Sequence, residues 1–158
     1  MSVVIIGVDP GKSAGVAEIV DGRMVRIFQG PGGQAMDLIE LILKDHSGHA
    51  DRRVSIACER FIQGNQAHSH QPEAQQMVGL VLRAGHHHGV SVDLQAPSDA
   101  LAIGQGPLLQ RAGLWPLASD VRQADADDVR MAVRHAVLYM ARHHASLFQR
   151  LVRSALID

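Results

Sequence analysis

Four acids stand where a chain could gather them for chemistry: Asp9, Glu59, Asp125 and Asp128. Asp9 closes the unbroken apolar run 3–8 and is followed at once by Pro10-Gly11, a turn signal. Glu59 closes the run Arg52-Arg53-Val54-Ser55-Ile56-Ala57-Cys58 in the same way. Asp125 and Asp128 are spaced i, i+3, the spacing that puts two side chains on one face of a helix. A carboxylate at the mouth of a buried strand is costly unless something compensates it. Oxygen-only donors suit a hard cation, Mg²⁺ first and Mn²⁺ second. A pair of such ions activates a water and stabilises the leaving oxygen of a phosphodiester, so the chemistry these residues could do is metal-dependent phosphodiester hydrolysis.

The elements that must position these acids follow from the pattern. The run 3–8 reads as a strand buried on both faces. Residues 15–20 and 23–28 flank Asp21-Gly22, a hairpin signal, so the chain opens as a three-stranded antiparallel meander. A Gly/Pro loop over 30–33 precedes a helix over 34–46, with Asp37, Glu40 and Lys44 on its wet face. The strand 52–58 then lies parallel to the first, because a strand–helix–strand crossover implies it. Both strand-end acids therefore project from one edge of the sheet, on neighbours about 5 Å apart.

A polar loop over 61–71, a helix over 72–88 with Pro72 at its first position, a strand over 90–94 and a short helix capped by Ser98-Asp99 come next. Residues 108–112 can form another turn or two, and 113–120 read as irregular. A last long helix over about 124–147 aims Asp125 and Asp128 at the sheet along the stripe Val129, Ala132, Ala136 and Met140, and leaves Asp127 beside Arg130 and Arg134 as a surface ion pair. The order βββαβαβα is that of the ribonuclease H-like α/β fold, a five-stranded mixed sheet with helices on both faces.

Bulk numbers narrow the class. A length of 158 residues, 46% hydrophobic and 20% charged, fits one globular domain over residues 1–158. No apolar run is long enough for a membrane span, and no signal peptide is recognisable. The single Cys58 excludes an internal disulfide or a cysteine zinc site and fits a reducing cytoplasm. The net charge of −1 does not favour nucleic acid in bulk, but among the 15 basic residues only Lys12 and Lys44 are lysines, and the arginines suit bidentate phosphate contact. The ten histidines, including His68, His70, His86, His87, His88, His143 and His144, read as surface residues, and His135 falls near the acid face.

The segments Gly7-Val8-Asp9-Pro10-Gly11-Lys12-Ser13-Ala14-Gly15, Cys58-Glu59 and Gln123-Ala124-Asp125-Ala126-Asp127-Asp128 together resemble the RuvC-type Holliday junction resolvases, over most of the chain in order and spacing. The resemblance implies a homodimeric Mg²⁺-dependent endonuclease that nicks four-way DNA junctions symmetrically, with Asp9, Glu59, Asp125 and Asp128 as catalytic metal ligands. It implies a DNA-facing loop over 61–71, an aromatic at the junction centre for which Phe61 is the candidate, and a dimer face on the helix bearing Met77, Val78, Leu80 and Val81. Candidate DNA contacts are Lys12, Arg60, Phe61, Arg111 and Arg122; the family's basic segment before the last helix is thin here, holding only Arg111 with Arg122 beyond it. The glycine-rich opening is one residue short of a phosphate-binding P-loop and would set Asp9 among the phosphates. Three alternatives share the opening motif or the fold: an RNA-processing nuclease of the YqgF type, a nucleotide-binding domain of the actin and sugar-kinase type, and a catalytically silent module.

Overall fold

The computed structural model describes residues 1–61, 72–103 and 106–157. Five strands, β1 (Ser2–Asp9), β2 (Ser13–Val20), β3 (Arg23–Pro31), β4 (Arg52–Glu59) and β5 (Ser91–Gln95), form one sheet in the order β3-β2-β1-β4-β5. The first three pair antiparallel; β1 with β4, and β4 with β5, pair parallel. The helices are α1 (Gly32–His46), α2 (Pro72–His88), α3 (Pro97–Ile103), α4 (Gly106–Arg111), α5 (Ala118–Val121), α6 (Asp127–His143) and α7 (Ala145–Ile157). Among the described residues, no helix is long and apolar enough to cross a membrane.

Strand alternation sorts the core into two layers. Ile5, Ala17, Ile19 and Ala57 face α6, whose Val129, Ala132, Val133, Ala136 and Met140 are buried against them. Ile6, Val8, Val16, Ile56 and Cys58 face the other way, onto Ile39, Ile42 and Leu43 of α1 and Met77, Val78 and Val81 of α2. This is why the run 3–8 is apolar without a break: β1 is central and covered on both sides.

The same parity decides where the acids go. Asp9 follows Ile5 and Gly7, and Glu59 follows Ala57, so both belong to the face covered by α6. Two glycines let that helix come down onto the sheet. A Cβ on Gly7 would collide with the backbone carbonyl of Ala132, and one on Gly15 with that of Asp128. Gly15 is the cross-strand partner of Asp9, so this close approach brings the start of α6 beside the end of β1.

Several expected boundaries move. β3 runs on through Gly30-Pro31, read from sequence as loop, because Ser13 and Ala14 of β2 extend back to pair with them. A short helix, α5, overlaps the end of the segment expected to be irregular. The last helix is two. It begins at Asp127 rather than near residue 124, breaks at His144 (φ −137°, ψ 55°) and continues as α7, packed on α4 and α6. No glycine or proline marks that break; Leu147 is buried in the α6-side core with Phe148 and Leu151 against it, and the turn at His144 permits that packing. Met77, Val78 and Val81, expected on a dimer face, are buried in the core beneath α2, and only Leu80 of that set is exposed, at 48%. The expected loop contacts over 62–71 lie outside the described residues.

The close approach can be tested by filling it. Gly7→Ala and Gly15→Ala are each expected to destabilise the protein by about 2 kcal/mol or more in chemical denaturation, since backbone must shift to admit the methyl. Gly33→Ala, with nothing within 4 Å of the added carbon, is the control and should be neutral or slightly stabilising.

Candidate active site

At the C-terminal edge of β1 and β4 the chain forms an open cavity of about 530 Å³, lined by Asp9, Pro10, Gly11, Lys12, Ser13, Glu59, Glu73 and Asp128. Three of the four acids singled out from sequence meet there. Asp9 comes from the end of β1, Glu59 from the end of its parallel neighbour β4, and Asp128 from the first turn of α6. Pro10-Gly11 turns the chain away and leaves the Asp9 carboxylate open to the cavity.

Each carboxylate has its own setting. Asp128 accepts a hydrogen bond from the Ser13 hydroxyl at the start of β2. Glu59 Oε2 lies 3.1 Å from His135 Nε2, and His135 Nδ1 is 2.9 Å from Gln95 Oε1. Burial pushes the Asp9 carboxyl up to about 8, and the charges of Glu59 and then Asp128 add to that. Burial, with Asp9 and Glu59 nearby, also raises the thiol of Cys58, which is fully buried on the opposite face of β4.

Asp125 does not join them. Because α6 starts at Asp127, Asp125 precedes the helix and the i, i+3 relation with Asp128 does not apply. Its Oδ1 accepts from the Asp127 backbone N–H (3.2 Å) and from Gln29 Nε2 (3.1 Å), and these two bonds hold its carboxyl below the usual range. Gln29, buried in β3, also accepts from Val129 N–H (3.1 Å). The pair thus satisfies two orphan donors at the helix start, and Asp125 serves as a cap. Asp127 makes the expected surface ion pair with Arg130, at 3.4 Å.

The candidate DNA contacts are scattered. Lys12 is exposed and lines the cavity. Arg60 is exposed just past Glu59, its backbone N–H bonded to Gln95 O (2.8 Å). Phe61 is half-buried against the α1/α2 layer. Arg111 ends α4, and its neighbour Ala112 shares a pocket with Asp21 and Gly22, at the other end of the sheet from Asp9. Arg122 is exposed in the left-handed region (φ 55°) after α5 and does not line the cavity. Sequence reading missed Ser13, Glu73, Gln29 and Gln95. The first two sit next to residues already noticed, and the strand register alone relates Gln95 to Glu59.

The donor set fits a hard divalent cation in its chemistry. Among the described residues no three His, Cys, Asp or Glu side chains yet converge on one point closely enough to ligate an ion. The contrast with Glu18 is informative. That carboxylate is fully buried in β2, and Arg26 Nε (2.7 Å) and His46 Nε2 (2.6 Å) compensate it. Asp9 faces two acids and, among the described residues, makes no ion pair with a basic side chain. A positive charge placed among these carboxylates would offset that repulsion.

No family model matches the sequence, and no curated protein sequence matches it. Solved structures do match. The chain is similar to T. thermophilus RuvC in complex with Holliday junction substrate, with a TM-score of 0.55 and 16% identity over 89% of this chain and 96% of that one. It also matches a Thermus thermophilus RuvC structure, with a TM-score of 0.47 and 20% identity over 88% and 96%. The first likeness shows the fold: the five-stranded mixed sheet with its helices is RuvC-like and ribonuclease H-like over nearly the whole chain, as the order of elements implied.

The electrostatics of Asp9 set a pH dependence. Its folded value lies above the unfolded one, so the folded state holds the proton more tightly. Its contribution to stability is full below about pH 4 and is lost as pH rises through about 8. Metal-free protein should therefore lose melting temperature between pH 5 and 9, and Asp9→Asn should flatten that slope. Equal slopes for the two proteins in thermal melts would show that Asp9 is not under this strain.

Proposed function

We propose that this protein is a metal-dependent endonuclease acting on branched DNA, most simply a four-way junction, nicked symmetrically by a homodimer. The observation that carries the reading is the meeting of Asp9, Glu59 and Asp128 on one open cavity at the end of the two central parallel strands. The fold likeness to RuvC, solved with a Holliday junction substrate, supports the choice of substrate.

Asp9, Glu59 and Asp128 would hold the metal, Mg²⁺ or Mn²⁺. When bound, it supplies Lewis-acid stabilisation of the phosphate oxygens and activation of the attacking water. The side chains do the rest. Asp9, between Glu59 and Asp128, would be one of the ligands, its negative charge offset by the cation. Ser13 orients Asp128. Lys12 at the rim offers a positive charge to the phosphate backbone without reading sequence. Asp125 acts through the start of α6, which carries Asp128. For the dimer, the groove between α1 and α2, lined by Met36, Leu80, Arg83 and Glu40, would be the contact surface, since it keeps the helix expected from sequence and has Leu41 and Leu80 exposed.

The test is a cleavage assay on junction, flap, duplex and RNA substrates with Mg²⁺ or Mn²⁺. Cutting of the junction in preference to the others is expected, and binding without cleavage of any substrate would overturn the reading. Asp9→Asn and Asp128→Asn should lower the rate by about 100-fold or more while leaving junction binding intact. Asp125→Asn keeps an oxygen acceptor for the Asp127 N–H and should lower it by about tenfold at most; a loss as large as that of Asp128→Asn would make Asp125 a ligand.

A further inference from the structure

His135 lies two helical turns beyond Asp128 on α6 and is fully buried, and the activity proposed above leaves it without a task. Both its ring nitrogens are engaged, and the partners fix which is which. Gln95 Nε2 donates to Asp93 Oδ2 at 2.9 Å, and a carboxylate oxygen only accepts, so the Gln95 amide is oriented with Oε1 toward His135. Oε1 in turn only accepts, so His135 Nδ1 carries a hydrogen and donates to it. The remaining nitrogen, Nε2, meets Glu59 Oε2, and one hydrogen lies on that edge.

The chain Asp93–Gln95–His135–Glu59 is built across three elements that parity and register bring together. Gln95 pairs with Glu59, and Asp93 with Ala57, so all three polar side chains share the face that α6 covers. One turn further along α6, Tyr139 donates to Ser55 on the same strand face, at 2.9 Å. The two contacts differ in where they end: Tyr139 on a buried hydroxyl, His135 on a carboxylate that lines the cavity. Burial alone asks that both ring nitrogens find partners; what sets His135 apart is that one of them is a carboxylate on the cavity.

We propose that His135 is a positioning residue for the candidate centre, held by Gln95 and fixing the carboxylate of Glu59 for metal binding. The inference rests on the reading of Asp9, Glu59 and Asp128 as ligands. Groups that hold a ligand in place by hydrogen bonding are worth about 10–100-fold in metal affinity or activity.

The experiment is calorimetric titration of Mn²⁺ into metal-free protein, with thermal melts and junction cleavage on the same samples. His135→Ala and Gln95→Leu should each weaken Mn²⁺ binding about 10–100-fold and lower kcat with little change in KM. His135→Gln, whose side-chain amide can still donate toward Glu59, should recover part of the affinity. Tyr139→Phe should lower the melting temperature and leave Mn²⁺ affinity unchanged. Wild-type Mn²⁺ affinity in a folded His135→Ala, or in Gln95→Leu should His135→Ala not fold, would overturn the positioning role alone. A wild-type protein that binds no Mn²⁺ would overturn the ligand assignment, and this role with it.

Discussion

The structure depends on how closely α6 lies against β1 and β2. Helix and sheet ordinarily keep a side chain between them, but here Gly7 and Gly15 leave only backbone, against the carbonyls of Ala132 and Asp128. Small residues continue the contact at Ala132 and Ala136. With the helix this low, its first turn is level with the end of the central strand. That places Asp128 at the mouth of β1, His135 at the end of β4 and Tyr139 further down β4. One packing contact therefore sets the positions of three polar groups, two at the sheet edge and one in the core.

Around that contact the protein treats buried charge in two ways. Glu18 is compensated by Arg26 and His46, and the ion pair closes the β2–β3 side against α1. Removing either partner of such a pair would leave an uncompensated buried charge. Asp9 is set among acids and pushed toward its neutral form, a state that costs stability and invites a cation. The cost falls at the C-terminal edge of β1 and β4, where the cavity lies.

The start of α6 shows how far sequence spacing can be trusted. Asp125 and Asp128 carry the spacing of two residues on one helical face, yet only Asp128 is helical. The relation fails because Gln29, 96 residues earlier, takes Asp125 into the helix cap. Nothing local in Gln123-Ala124-Asp125-Ala126 announces this. The break at His144 is similar: residues 124–147 suit a continuous helix, and packing of α7 decides otherwise. The burial of Met77, Val78 and Val81 follows from α2 lying on β4 and β5 beside α1, which its amphipathic pattern allows but does not require.

By itself, the sequence determined the order of the five strands and of the helices between them, the central place of β1 and the common edge of Asp9 and Glu59. These follow from short-range rules: an apolar run buried on both faces, a two-residue hairpin turn, a crossover that must be parallel. Only the tertiary structure decided which acids face one cavity, that Ser13 and His135 hold two of them, and that Asp125 caps a helix. Those outcomes turn on contacts between residues 76 to 115 positions apart, and on a backbone approach that two glycines permit but do not advertise. Spacing constrains direction within one element; distance between elements is set by what packs between them.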